Sequence, residues 1–342
     1  MKIGMIAPPW FPLPPRGYGG IELVVSLLTE GLVARGHEVT LFASGDSVTD
    51  ACLSYVFDRA PFERIESGAH LEIAHGLAAY SRAGDFDVIH DHDGYATRAM
   101  GALVHRLLDV PVVATLHGPA DPVTQESLSA LRDDLRFIAI SDYQRDGFPD
   151  LQFAGTIPNA IDVSSHPFSA EKDDYFLFLG RMIADKGAHT ACEVARRLGV
   201  RLILAGKVNE EPERVYYREQ IEPFLSDNIH FRGEVEHNVK AELYRKAKCT
   251  LFPIQWPEPF GLVMIESLAA GTPVIAFRRG SVPEVIEHGR TGFIVETVDE
   301  MVEAARHIDE IDPEECRRSV EERFGIERFV VAHEHAYAGL IG

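Results

Sequence analysis

The chain has no apolar run of the roughly 18 residues that would cross a bilayer as a helix. It has only four cysteines in 342 residues, Cys52, Cys192, Cys249 and Cys316. They are scattered and match no zinc spacing, so reduced thiols in a cytoplasmic protein are the expectation. Positive charge is also scarce, with 33 Lys and Arg against 53 Asp and Glu and a net charge of -20. That balance excludes nucleic-acid binding through a broad basic face. No basic amphipathic stretch is present, so membrane association is not indicated. No solenoid repeat, low-complexity tract or signal-peptide layout occurs. The opening MKIGMIAPPW is expected to begin a buried strand instead.

What remains is an alternation of short apolar runs with longer amphipathic ones. KIGMIA, HEVTLFA, FDVIHDH, PVVATLHG and RFIAIS are predicted strands of a first half. YFLFLGR, RLILAG, IHFRGEV, CTLFPI and TPVIAF are predicted strands of a second. Most are nearly continuous in Val, Ile, Leu and Phe, the composition of strands buried on both faces. IELVVSLLTEGLVARG and AHTACEVARRLG lie between strands and read as helices stopped near a Gly. Strand and helix alternating in this way predict an α/β protein with two Rossmann-like parallel-sheet domains. The polar segment IDVSSHPFSAEKDD separates them, giving domains over about 1–163 and 170–323. The tail, 324–342, is predicted to be a helix. Ligands of such sheets bind at the carboxyl ends of strands, so two domains facing a central cleft would hold their ligand there.

The loops after strands carry the polar signals. The first strand leads through a Pro-rich loop to Gly19-Gly20 at a helix start, where backbone can approach a ligand or simply turn. This is no dinucleotide fingerprint, because about ten residues intervene where a tight G-x-G-x-x-G turn is needed. That disfavours a nicotinamide-dependent dehydrogenase. In the second half, Arg181 directly follows a strand and Lys186 precedes a helix. Together they suit a diphosphate, although surface cations would look the same. WPEPFGLVMIESLAAG places Glu258 between two prolines and Glu266 just over one turn into a helix. Helix N–H groups attract phosphate, whereas a carboxylate accepts from hydroxyl pairs such as those of ribose or a hexose. The residues alone also allow a helix-end acid and a solvated one. VIHDHDGY resembles a metal site at first sight, but no third ligand group accompanies His90 to Asp93, and a loop lining a site is the better reading.

The run EPFGLVMIESLAAGTPV resembles the E-x7-E motif of glycosyltransferase family 4, a group of retaining GT-B enzymes. Gly19-Gly20, Thr115 with His117-Gly118, IPNAID, GRMIADKG and GSVPEVIEHGRTGFIV follow the family's order, so the resemblance covers nearly the whole chain. It implies a GT-B fold whose tail helix returns to the first domain. It implies that Gly19, Gly20, Arg181 and Lys186 contact a donor diphosphate, and that Glu266 takes the ribose hydroxyls. Glu258 would hold the transferred sugar near the backbone of Phe260, Gly261 and Leu262, with His117 beside its reacting face. The base would lie near Gly233 and Val235. Two departures bear on this: Lys207-Val208 and an acidic loop, NEEPERVYY, follow the strand RLILAG, and the first half is short where acceptors are usually recognised.

The expected function is therefore a retaining, metal-independent transfer of a hexose from a nucleoside-diphosphate sugar, UDP-glucose or a relative, to an unidentified acceptor. No cofactor is expected, since the nucleotide sugar is a substrate and fixed cations would stabilise the leaving diphosphate. The alternatives are a nucleotide-sugar epimerase or phosphorylase on the same fold, and a sugar-nucleotide-binding protein without catalysis.

Overall fold

A computed structural model describes residues 1–17 and 19–342. It divides into two compact units, Met1–Ala160 with Ile326–Gly342, and Ile161–Gly325. The first unit holds strands β1 (Lys2–Ile6), β2 (Glu38–Phe42), β3 (Cys52–Ser54), β4 (Val88–Asp91), β5 (Val112–Thr115), β6 (Arg136–Ala139) and β7 (Phe153–Thr156). They form one parallel sheet in the order β3-β2-β1-β4-β5-β6-β7. Between them run α1 (Gly20–Ala34), α2 (Gly68–Tyr80), α3 (Tyr95–Leu108), α4 (Pro122–Ser129) and α5 (Asp142–Asp146). The central strands are buried along their length, as a sheet covered by helices on both faces requires.

The second unit holds β8 (Phe176–Leu179), β9 (Leu202–Ala205), β10 (Ile229–Phe231), β11 (Cys249–Phe252), β12 (Val274–Phe277) and β13 (Gly292–Val295). This sheet is also parallel, in the order β10-β9-β8-β11-β12-β13. Its helices are α6 (Ala188–Leu198), α7 (Glu211–Tyr216), α8 (His237–Lys246), α9 (Leu262–Ala269), α10 (Val282–Val285), α11 (Val298–Arg306) and α12 (Pro313–Arg323). In both sheets the order reverses beside the first strand, between β1 and β4 and between β8 and β11. Loops at the carboxyl end of such a reversal diverge and leave a crevice, the usual ligand position in open α/β sheets.

Three strands escape the apolar-run criterion. β3 and β7 are edge strands whose residues are only partly buried or exposed, and β13 carries Gly292 at its start. The polar segment 161–174 packs as part of the second unit, where the Lys172 ammonium donates to the carbonyls of Arg245 and Ala270 and to Thr272 Oγ1. No helix among the described residues is long and apolar enough to cross a membrane.

The chain's last helix (Ile326–Ile341) belongs to the first unit. It buries Phe329, Val330, His333 and Tyr337 and packs along α1. Glu334 accepts from Arg35 Nε at 2.9 Å and lies 2.7 Å from His37 Nε2, fastening the helix where α1 ends. Removing a buried aromatic ring leaves a cavity as well as losing burial. Phe329→Ala should therefore lower the stability of the first unit by about 3–5 kcal/mol, read as a lower urea midpoint by circular dichroism.

Candidate functional site

In the second unit, two of the expected site residues, Lys186 and Glu258, meet at the β8–β11 reversal. Lys186 ends the short turn Ala184–Lys186 after β8, and its Nζ lies 2.7 Å from Glu258 Oε2. Trp256 donates its indole N–H to the same oxygen at 2.9 Å, and the Lys186 ammonium sits 4.8 Å from the centre of that ring. Glu258 is buried, and its Oε2 is held by two donors. The loop's backbone is fixed from the next strand. Gly280, at φ 56, passes so close to the Glu258 backbone that any Cβ there would collide with it. Ser281 donates its N–H to Glu258 O and its hydroxyl to Phe260 O, both at 2.9 Å. The GSVPE and EPFG segments thus occur together because one is the brace of the other. Phe260 is buried and meets Phe324 edge-on at 5.7 Å, while Gly261 and Leu262 open α9.

Arg181, the residue after Gly180 at the end of β8, donates Nε–H to Glu213 Oε1 at 2.8 Å and contacts Glu210 Oε2 at 3.3 Å. Glu213 is fully buried, and burial would raise its pKa. Backbone N–H donors at Glu210 and Asn209, with Arg181, bring it below the ordinary value instead. The acidic loop that departs from the family pattern is therefore a support for Arg181. Lys207 is buried beside it, 3.7 Å from Glu210 Oε1.

Glu266 lies inside α9 but turns to α8. Its Oε1 is 2.7 Å from Lys240 Nζ, and its Oε2 accepts from the Tyr244 hydroxyl at 3.0 Å. Burial would raise its pKa; Lys240, through charge and hydrogen bond, holds it below the ordinary carboxylate value. Gly233 follows β10 and accepts from Gly206 N–H at 2.9 Å, and Val235 packs on the cluster around Tyr175 and Leu177. Neither Lys240 nor Tyr244 carried any sequence signal, since HNVKAELYRK reads as an ordinary polar helix.

The first unit has a different character. Gly19 precedes α1 at φ 149, where a Cβ would meet Pro15 Cβ at 2.7 Å, and its carbonyl accepts from Leu23 N–H. Gly20 is exposed at the first position of the helix. Two residues on, Glu22 is buried, and desolvation pushes its carboxyl up to about 7. His117 follows β5 and is half-buried, with Nε2 at 3.0 Å from His92 Nδ1. His92 Nε2 is in turn 3.2 Å from His90 Nδ1. The DHD segment thus belongs with His117. Asp91 Oδ2 accepts from Tyr80 at 2.8 Å, and its Oδ1 accepts from Asp93 N–H at 2.8 Å and the Thr97 hydroxyl at 3.2 Å. Asp93 is raised well above the usual range by burial and by Asp91 and Glu72. Among the described residues, Asp93 Oδ2 and Arg98 Nε have no hydrogen-bond partner, and no cluster of side chains fits a metal ion.

The comparisons with known proteins bear on both units. Residues 18–165 match the profile of "Glycosyltransferase Family 4", and residues 163–323 that of "Glycosyl transferases group 1". A phosphatidyl-myo-inositol mannosyltransferase of Mycobacterium leprae is 30% identical over 86% of this chain and 83% of its own. The chain belongs to glycosyltransferase family 4. Among solved structures, a sucrose-phosphate synthase from Thermosynechococcus elongatus superposes with a TM-score of 0.83 at 20% identity, covering 99% of each chain. The Anabaena protein HepE, crystallised with UDP and glucose, gives a TM-score of 0.75 at 20% identity, covering 99% of this chain and 100% of its own. This family 4 glycosyltransferase therefore has the GT-B fold, and the expectation of two parallel-sheet α/β halves is borne out.

Two outcomes follow for the buried acids. Lys240→Met removes the cation that holds Glu266 ionised, and should cost about 1–3 kcal/mol near pH 7, discounted because Lys240 is partly exposed. In the variant the folded-state pKa of Glu266 moves above its unfolded value, so stability recovers as pH falls and the gap to the parent narrows in urea titrations towards about pH 4. Glu22 is the opposite case, with a folded pKa of about 7 against 4.5. Its ionisation lowers stability as pH rises between those values. Glu22→Gln should lack this slope, being about 2 kcal/mol more stable than the parent near pH 8 and equal to it at acid pH.

Proposed function

We propose that this glycosyltransferase transfers a hexose from a nucleoside-diphosphate sugar, UDP-glucose or a close relative, with retention of configuration and without a metal. The observation that carries the reading is the Lys186–Glu258–Trp256 cluster at the β8–β11 reversal, with Arg181 on the same loop system. A diphosphate arriving there competes with Glu258 for the Lys186 ammonium, and Glu258 then turns to hydroxyls of the sugar. Arg181 carries its charge on a planar guanidinium already oriented by Glu213. Glu266 is an ionised acceptor for the ribose hydroxyl pair once Lys240 or Tyr244 yields one oxygen. The UDP and glucose of the HepE crystals, and the mannosyltransferase name of the M. leprae relative, support a nucleotide-linked hexose as donor.

In the reaction the bond from the anomeric carbon to the diphosphate oxygen breaks, and the acceptor oxygen bonds to that carbon from the same face. The acceptor's proton passes to the departing diphosphate oxygen. Charge grows on that oxygen as the bond breaks, and Lys186 and Arg181 supply fixed positive charge where it develops, the work otherwise given to a divalent ion. Stabilisation by a few kcal/mol there is worth orders of magnitude in rate.

Thermal denaturation in the presence of UDP-, GDP- and ADP-hexoses tests the donor class, because a ligand of the folded state raises Tm by mass action. A UDP-hexose should raise Tm in excess chelator, and Lys186→Ala should abolish the rise. Hydrolysis or transfer from an α-linked donor, followed by NMR, should release the α-anomer first. No stabilisation by any nucleotide sugar would overturn the donor assignment. Turnover lost in chelator and restored by Mg2+ or Mn2+ would overturn the metal-free mechanism.

A further inference from the structure

Glu258 is gripped at one oxygen only. Its Oε2 takes two donors, the Lys186 ammonium at 2.7 Å and the Trp256 indole N–H at 2.9 Å. Its Oε1 meets no donor among the described residues, and although the residue as a whole is buried, that oxygen is not sealed from solvent. A carboxylate accepts at both oxygens, so the unspent capacity of this one lies on the open side. The indole that holds the acid also serves the cation. Lys186 Nζ lies over its ring, 4.8 Å from the centre, so the edge of Trp256 meets the base pair's acid and its face meets the base.

Backbone contacts fix the indole beside the lysine. Gln255 donates its N–H to Asp185 O at 2.7 Å, tying the residue before Trp256 to the residue before Lys186. Gly187, at φ 74, passes so near the same loop that a Cβ there would lie 2.0 Å from the Pro253 carbonyl oxygen. The two donors to Oε2 nevertheless differ in kind. Lys186 is a compact charge on a flexible stem, and a diphosphate attracts it away from a carboxylate. Trp256 is uncharged, rigid and a donor only, so an arriving anion has no charge to draw from it. A buried carboxylate stripped of both donors would be left uncompensated. One that keeps the indole stays in place with Oε1 outward.

We propose that Trp256 is a positioning residue: its N–H keeps Glu258 anchored by Oε2 when a donor diphosphate takes the Lys186 ammonium, so that Oε1 faces hydroxyls of the transferred hexose. The anchor stands on the geometry of the second unit alone; the diphosphate and the hexose rest on the function proposed above. Without the indole N–H, a Glu258 released by Lys186 regains its side-chain freedom, and the entropy of ordering it falls on the sugar. Trp256 thereby divides recognition of the donor in two. Lys186 answers to the diphosphate and Glu258 to the sugar, and loss of the indole N–H weakens the second alone.

The test uses the full-length protein. The chain has two tryptophans, Trp10 and Trp256, so its 15N-labelled form shows two indole N–H signals, and Trp10→Phe leaves the one from Trp256. In the parent that proton should lie downfield, as a hydrogen bond to a carboxylate requires, and Glu258→Gln should move it upfield. In Lys186→Ala it should stay downfield. A Trp256 proton at the free-indole position, in the parent or in Lys186→Ala, overturns the anchor. Calorimetric affinities then read the sugar. Trp256→Phe, checked for folding by circular dichroism, keeps an aromatic face for Lys186 and should bind UDP as the parent does. Its affinity for UDP-hexose relative to UDP should fall about tenfold, the scale of one hydrogen bond to a charged group. An unchanged ratio overturns the positioning role, and so do equal losses for both ligands, which a merely structural support would give. If no nucleotide sugar binds the parent, the donor reading fails and takes the sugar role of Glu258 with it, whereas a downfield indole proton in Lys186→Ala would still support the anchor.

Discussion

A carboxylate taken out of water must be neutralised by a partner or by a proton, and the two units answer this constraint in opposite ways. In the second, Glu213, Glu258 and Glu266 are buried, and each meets a cation: Arg181, Lys186 and Lys240. In the first, Asp134 is likewise paired, with Arg106, but Glu22, Asp91 and Asp93 are buried with desolvation raising their pKa values, and Arg98 is the cation that acts on Asp91 and Asp93. The neighbouring histidines are pushed towards neutrality. One unit therefore offers fixed charge and the other neutral donors and acceptors. In a chain of net charge -20, the cations of the second unit are local exceptions held by acids of their own, which is how an acidic protein keeps positive charge beside a strand end.

The brace of Gly280 and Ser281 on the Glu258 loop shows the same economy at the level of the backbone. Two segments more than twenty residues apart in sequence share one set of hydrogen bonds. A side chain at residue 280 would displace the loop before it altered any chemistry. Loops at the carboxyl ends of parallel strands carry no ladder hydrogen bonds, so their order has to come from contacts of this kind.

The fold was legible where burial is two-sided. Runs such as FLFL and LILA announce a central parallel strand by composition, and the helices between them end at the expected Gly. β3, β7 and β13 were not legible, because edge strands and glycine-led strands lose the continuous apolar signal. In the candidate site, Glu258 and Glu266 could be picked out as acids in unexpected places, but their partners could not. Lys240, Tyr244 and Trp256 become meaningful only when helix and loop are brought together in space. The histidine contacts were under-read for the same reason: His92 and His117 follow different strands, and Tyr337, which meets His90, comes from the far end of the chain.

That last helix also orders events in time. The second unit is inserted within the first, so residues 161–325 are synthesised before the helix that covers β4 and β7 exists. During translation the first sheet must wait, with the faces that Phe329, Val330 and Tyr337 will cover still open, until the ribosome has released residues 326–341. The inserted unit is continuous and has no such delay. The first unit is therefore closed last, by a segment made after the whole of the second.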